Sequence, residues 1–271
     1  MIYEFMLFYN EFDMLELKLQ EHYTKVDRFV ICESNRSSNQ TVKPYNLEQC
    51  WDRYKPYHDK IKYIKFDATG LEPGWKTFNA QRDHPITQVE IQENDIILID
   101  DVDEILHQQD WHKLKLLDDD NVKEKQIQFC SATYWCYANA KHAKKQQTVV
   151  ALRGKNLTNS ISEHRGQAEY QLGSLEKRIP THNLDGGVHL SWFGDKQQFL
   201  EKIDGSIEAV KYTKDRDLDT QWQDKLKGKL FHYKVKFKTD RIKLVSFEEN
   251  TDFSPTMKKY ILSKPHWLLN K

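Results

Sequence analysis

The chain opens on alternating blocks of apolar and polar residues. Met1 to Tyr9 is an apolar run broken by Glu4, which predicts a strand. Glu11 to His22 places Phe12, Leu15 and Leu19, with Met14 beside them, on one helical stripe. Val26 to Cys32 predicts a second strand, ending at Glu33-Ser34-Asn35, and a polar loop follows from Asn35 to Lys43. Leu47 to Tyr57 predicts a helix and Ile61 to Phe66 a third strand. The order β-α-β-α-β is that of a mainly parallel sheet with right-handed crossovers.

A helix is predicted from Thr77 to Val89, with Pro85 inside it, and then the strand Ile96-Ile97-Leu98-Ile99. Its apolar residues do not alternate with polar ones, so it should be buried on both faces and central in the sheet. Beyond it the pattern loosens. Gln126 to Tyr137 and Gln147 to Leu152 predict strands in a less regular, antiparallel region. Pro180 to Phe193 carries a Gly-Gly turn and the run Val188-His189-Leu190-Ser191-Trp192-Phe193, and Gln197 to Val210 reads as helical. From Thr213 the chain is charged and weakly periodic, with short strands expected at Leu230 to Phe237 and Ile242 to Phe247. No repeat or interdomain linker is evident, and residues 1–271 read as one α/β domain.

Composition narrows the choice of function. Lys+Arg and Asp+Glu both number 41. That balance lacks the basic surplus of a dedicated nucleic-acid binder, so no nucleic-acid partner is expected. The four cysteines, Cys32, Cys50, Cys130 and Cys136, lack zinc-knuckle or thioredoxin spacing. The N-terminal residues show no basic, cleavable signal, and no apolar run reaches the roughly 18 residues of a membrane span. A cytoplasmic location is therefore expected. The composition leaves the oligomeric state open. Sequons at Asn35, Asn39 and Asn156 carry no weight without a secretion signal.

The densest candidate chemistry follows the buried strand: Asp100-Asp101-Val102-Asp103-Glu104. In open α/β sheets ligands bind outside the carboxyl ends of strands. In extended chain Asp101 and Asp103 project to the same side. One can ligate a divalent cation while the other steers ribose or a metal-bound water. Asp100 and Glu104 are assigned to orienting the loop. An EF-hand is excluded, because Ile105-Leu106-His107 lacks its glycine and later oxygen ligands.

Several further blocks carry a family resemblance. They are Phe8-Tyr9-Asn10-Glu11-Phe12-Asp13-Met14-Leu15-Glu16, Val26-Asp27-Arg28-Phe29-Val30-Ile31-Cys32-Glu33-Ser34 and Gln81-Arg82-Asp83. The acidic run with Ile105, and Gly187-Val188-His189-Leu190-Ser191-Trp192, complete the set. In this order they resemble glycosyltransferase family 17, the β-1,4-mannosyl-glycoprotein 4-β-N-acetylglucosaminyltransferase family. The resemblance implies a GT-A-type fold, a Rossmann-like mixed sheet flanked by helices. Residues 1–105 would form the nucleotide-sugar-binding half, and 106–271 the acceptor-binding half with a C-terminal extension.

It also implies a metal-dependent, inverting enzyme that moves a sugar, GlcNAc by analogy, from a UDP-sugar to a glycan hydroxyl in β-linkage. Mn²⁺ or Mg²⁺ would be the cofactor. Asp101, Asp103 and His189 would form the metal site, and Asn10, Glu33, Ser34, Arg82 and Asp101 would contact the donor. Trp192 is open to stacking on an acceptor sugar or packing in the core. The family's usual Gly-Trp-His reads Gly187-Val188-His189 here, a change that bears on donor and acceptor identity.

Inversion requires a carboxylate to deprotonate the acceptor hydroxyl. Asp185 is the first choice, with Glu163, Glu169 and Asp217 as rivals. Two other readings stay open: nucleotidyl or phosphoryl transfer at the same acidic turn, and a non-catalytic carbohydrate-binding protein with this fold.

Overall fold

The computed structural model describes residues 1–165, 179–205, 222 and 242–269. Its centre is the strand predicted to be buried on both faces. β4 (Ile96–Asp101) presents Leu98 to one apolar cluster and Ile97 and Ile99 to another, each at most 1% exposed. β1 (Ile2–Phe8) pairs with it in parallel, β2 (Arg28–Ser34) pairs with β1, and β3 (Ile61–Phe66) with β2. Spatially this half therefore runs β3-β2-β1-β4.

The antiparallel half is joined directly to β4. β8 (Gln146–Arg153) pairs antiparallel with β4, and β6 (Gln126–Trp135) antiparallel with β8. β9 (Thr181–Ser191) then runs parallel to β6 and pairs with the two-residue β5 (Glu104–Ile105). β7 (Ala140–His142) and β10 (Ile242–Leu244) extend the far edge. The result is a mixed α/β sheet flanked by helices, the fold class expected from the sequence.

The helices show where periodicity was incomplete. α1 (Phe12–His22) buries Met14, Leu15 and Leu19 as predicted, but also Leu17, Lys18, Glu21 and His22. The C-terminal helix α6 (Pro255–Leu262) packs against α1, with Tyr260 donating a hydrogen bond to Glu16 (2.9 Å) and Ser254 to Glu21 (2.8 Å). Ser254 caps α6 by accepting the Met257 N–H, and Pro255 follows it, a start signal passed over in that charged stretch.

The helix expected at Leu47 to Tyr57 is a single turn, α2 (Asn46–Gln49), followed by a 3-10 segment (Trp51–Tyr57) containing Pro56. That expected at Thr77 to Val89 is α3 (Trp75–Asp83), followed by a 3-10 segment (His84–Gln88). Pro85 has no N–H to continue the α-helical ladder. The strand expected at Ile242 to Phe247 is the three-residue β10. The 3-10 segment Gln108–Asp118 had no sequence expectation. A short α4 (Ile161–His164) and α5 (Lys196–Gly205) complete the described helices. The Leu230 to Phe237 strand lies outside the described residues. No described helix is long and apolar enough to cross a membrane.

Candidate active site

In the order β3-β2-β1-β4 the chain leaves β1 towards one side and returns on the other, so β1 and β4 bound the switch point at which such sheets bind ligands. Leu7 pairs with Asp101 in register, so the two strands end together. A cavity of about 310 Å³ opens there. The end of β1 contributes Phe8, Tyr9 and then Glu11, and the acidic turn contributes Asp101, Val102 and Asp103. Facing them are His189, Ser191 and Trp192 from the end of β9, Trp75, Phe78 and Gln81 from α3, and Lys202 from α5.

The acidic turn divides its carboxylates between structure and surface. Asp100 points away from the cavity into the protein, where Lys18 meets it at 2.6 Å with both side chains fully buried. Lys18 also donates to the carbonyls of Asp101 (2.9 Å) and Glu104 (2.8 Å), holding the turn from beneath. Glu104 accepts the Asp101 N–H at 3.0 Å and takes both amino nitrogens of Arg165 at 2.8 Å. This two-point ion pair closes the turn upon itself.

Asp101 reaches the cavity wall under the grip of two arginines, Arg82 at 2.6 Å and Arg165 at 3.3 Å. Burial acts to raise its pKa, but Arg82 and Arg165 outweigh that effect and hold the carboxyl far below its usual range. Behind it Arg82 is 3% exposed, its remaining nitrogens Nε and Nη1 having no hydrogen-bond partner among the described residues.

Asp103 is held differently. Its Oδ1 lies 3.6 Å from His189 Nε2 and its Oδ2 lies 3.3 Å from Lys202 Nζ. The His189 Nδ1 lies 2.7 Å from the amide oxygen of Gln146, which can only accept. In the neutral ring the proton therefore sits on Nδ1, and the lone pair of Nε2 faces Asp103. A carboxylate oxygen and an imidazole nitrogen directed at one point, with the far nitrogen anchored, fit two ligands of a divalent cation. Asp101 fits less well, because both its oxygens face guanidinium groups. Among the described residues no three His, Cys, Asp or Glu side chains converge on one ion position. The remaining ligands would have to come from substrate and water, as is usual for Mg²⁺.

Other expected site residues sit elsewhere. Asn10 is buried behind the cavity, where its amide donates to Glu201 (2.8 Å) and to the Gln198 carbonyl (3.3 Å), tying α5 to the β1–α1 turn. Glu33 is fully buried and accepts from Lys43, Tyr63 and the N–H groups of Asn46 and Leu47, all within 3.0 Å. It therefore organises the start of α2 rather than facing a donor. Ser34 accepts the Arg36 N–H at 3.1 Å. Arg82 does not line the cavity and bears on it through Asp101 and through the Phe78 ring, centred 4.8 Å from its guanidinium carbon.

The two carboxylates expected to activate the acceptor are not brought to the cavity. Asp185 pairs with Lys145 at 2.7 Å and is 73% exposed. It lies four residues back along β9 from His189, up to about 13 Å in extended chain, and a bulge intervenes. There Gly187 adopts φ +72°, and the register slips by one residue between the Cys130–Asp185 and Ala132–Val188 pairs. Glu163 is exposed on α4 and accepts from Thr158 at 3.2 Å. Glu169 and Asp217 lie outside the described residues.

The sequence reading missed Lys202, Trp75 and Phe78, and passed over Glu11. The strand-end rule applied to β4 would have flagged Glu11 at the end of β1. Lys202 carried no such signal, since only the fold brings α5 to the acidic turn.

With this geometry in view, comparison places the chain among known proteins. A family model described as Glycosyltransferase family 17 matches residues 1–144, more than half of the chain, and the chain belongs to that family. Over 120 residues it is 29% identical to the β-1,4-mannosyl-glycoprotein 4-β-N-acetylglucosaminyltransferases of Homo sapiens and Rattus norvegicus. The match covers 40% of this chain and 22% of each relative, about a fifth of their length.

Among solved structures, the mannosyltransferase PcManGT from Pyrobaculum calidifontis, in complex with GDP-Man and Mn²⁺, is similar at 12% identity and a TM-score of 0.40. That match covers 79% of this chain and 65% of the other. A 4-diphosphocytidyl-2C-methyl-D-erythritol synthase from Anaerococcus prevotii is also 12% identical, with a TM-score of 0.39, over 68% and 88% of the two chains.

Proposed function

We propose that this chain transfers a sugar, GlcNAc by its family relationship, from a UDP-sugar to a glycan hydroxyl, with inversion to a β-linkage. The observation that carries the reading is the Asp103–His189 pair, set beside Asp101 at the switch point of the sheet. Asp103 and His189 would hold Mn²⁺ or Mg²⁺, which when bound supplies positive charge to the departing diphosphate. Asp101, fixed by Arg82 and Arg165, is rigid enough to orient the donor by hydrogen bonding. Tyr9, Trp75 and Phe78 offer ring faces for the flat or apolar parts of nucleotide and sugar. The base role expected of Asp185 or Glu163 is withdrawn, because neither side chain lines the cavity.

A panel of nucleotide sugars with Mn²⁺ or Mg²⁺, read by release of free nucleotide and repeated with Asp103→Ala, tests the proposal. UDP release from UDP-GlcNAc that depends on metal and on Asp103 is the expected result. A folded wild-type chain that neither binds nor turns over any nucleotide sugar would overturn it. Release of the sugar 1-phosphate in place of UDP would mark nucleotidyl transfer instead.

A further inference from the structure

Lys202 stands between two carboxylates at the cavity wall. Its Nζ lies 3.4 Å from Glu11 Oε1 and 3.3 Å from Asp103 Oδ2. Ion pairs that share a charged hydrogen bond usually close to about 2.7–2.9 Å. The neighbouring pairs do so, Arg82 with Asp101 and Lys43 with Glu33 both at 2.6 Å. Lys202 is thus shared between two anions, with one long hydrogen bond to Asp103 and no short pair to either. Its ammonium also lies 5.7 Å from the centre of the Trp192 ring, a third weak attraction.

The helix beneath this side chain is firmly placed. Asn10 donates to Glu201 and to the Gln198 carbonyl, and Gln198 returns a hydrogen bond to the Asn10 carbonyl at 2.9 Å. At the end of α5, a Cβ on Gly205 would fall 2.5 Å from the Tyr9 hydroxyl, so helix and strand end are in close contact. With the backbone fixed, the movable part is the four-carbon stem of Lys202, which is 24% exposed. Its ammonium can change partners without disturbing the fold.

Charge balance gives that movement a direction. Glu11, Asp101 and Asp103 make one wall of the cavity acidic. Arg82 and Arg165 are engaged with Asp101, and Lys43 with Glu33. A diphosphate arriving beside Asp103 adds negative charge to that wall, and Lys202 is the cation already in contact with Asp103 there, whereas Arg36, also on the lining, is engaged with Thr69 and the Gln40 carbonyl.

We propose that Lys202 binds the diphosphate of the donor, its ammonium leaving the Glu11–Asp103 bridge for a phosphate oxygen when the nucleotide enters. The inference rests on the nucleotide-sugar reading and deepens it, by naming a residue that selects a nucleoside diphosphate over the nucleoside. A compact ammonium on a flexible stem suits phosphate as a point charge. No bond to carbon or phosphorus is made or broken in this exchange.

The test is equilibrium titration of UDP, UMP and uridine onto the full chain with Mn²⁺ present, for wild type, Lys202→Met and Lys202→Arg. Lys202→Met should weaken UDP binding about tenfold or more, the equivalent of one lost charged contact. Uridine binding should stay within about twofold, and Lys202→Arg should recover most of the UDP affinity. Unchanged UDP affinity in Lys202→Met overturns the inference. Equal losses for UDP and uridine also overturn it, because they would mean that Lys202 only shapes the cavity. Failure of the wild type to bind UDP would instead strike the nucleotide-sugar reading itself.

Discussion

Lys18 and Asp100 form an ion pair at 2.6 Å with neither side chain exposed, directly beneath the turn that carries Asp101 and Asp103. The pair belongs to a longer chain. Glu4 lies 3.3 Å from Lys18 and 2.8 Å from His22, whose other ring nitrogen lies 2.9 Å from the Leu106 carbonyl. Burial pushes the Asp100 carboxyl well above its usual range. At Glu4 burial acts the same way, but His22 and Lys18 prevail and hold the carboxyl at about 2. The ionised Glu4 thus requires a cation inside the protein, and the two carbonyl contacts of Lys18 fix the turn.

Lys18→Met leaves those carboxyl groups buried without their ammonium. Breaking a buried pair from one side costs about 3 kcal/mol or more, which urea denaturation would measure. The double variant Lys18→Met/Asp100→Asn should regain part of the loss. A loss below about 1 kcal/mol in the single variant would show that the acids meet there uncharged.

Asp101 and Asp103 should separate in their effects. Asp103→Asn is expected to lower metal-dependent donor turnover by roughly 100-fold, the scale of losing one group that stabilises developing charge, with little change in melting temperature. Asp101→Asn should lower stability by about 2 kcal/mol, because Arg82 is left buried beside a neutral partner. Solvent reaches Asp101, which is 32% exposed, and screens the pair. Steady-state kinetics and thermal melts on the two variants read the difference. Equal stability losses would refute the division of roles.

Acid should weaken the segment that delivers Arg165. The adjoining His164 is buried, and desolvation pushes its pKa down to about 4. Its Nδ1 lies 2.7 Å from the Gln126 amide oxygen and its Nε2 accepts the Thr158 N–H at 3.1 Å, both suited to the neutral ring. Between about pH 6.5 and 4 the unfolded chain binds a proton there that the folded chain does not. Stability therefore falls as pH drops through that window, by up to about 3 kcal/mol from this group. Denaturation curves from pH 7 to 4 should be flatter in His164→Gln than in wild type.

Gly187→Ala should be costly. The residue has φ +72°, and a Cβ there would fall 2.6 Å from the Ile105 carbonyl oxygen. The left-handed backbone alone costs an alanine about 1–2 kcal/mol, and the contact with β5 adds to it. Melting temperature and hydrogen exchange at Ile105 and Val188 would report the loss. An alanine variant as stable as wild type would mean that the bulge relaxes freely.

The parallel half was legible because its signals are local. Ile96 to Ile99 reads as a doubly buried strand without knowledge of its neighbours, and the acidic run at its end marks a strand terminus. What periodicity could not convey was the environment set by distant chain. Lys18 looks like a polar residue on the outer side of α1, until Asp100 and the backbone of the acidic turn surround it. Glu33 and Asn10 stand at strand ends as donor-contacting residues would, but their hydrogen bonds turn inward to α2 and α5. Asp185 and His189 are close in sequence, yet an extended strand with a bulge separates them, and only the latter reaches the cavity.

The pairing of β5 with β9 joins Asp103 to His189 through the main chain. The Leu190 N–H donates to the Asp103 carbonyl at 2.8 Å, and Glu104 stands opposite His189 in the ladder. On the proposed reading the two side chains would form a chelate whose bite is set by the backbone before an ion arrives. Folding and cation affinity would then be linked quantities: an ion bound by the native pair would raise the unfolding free energy in proportion to the logarithm of its concentration above Kd. A substitution that frays this short ladder would weaken ion binding without touching either side chain.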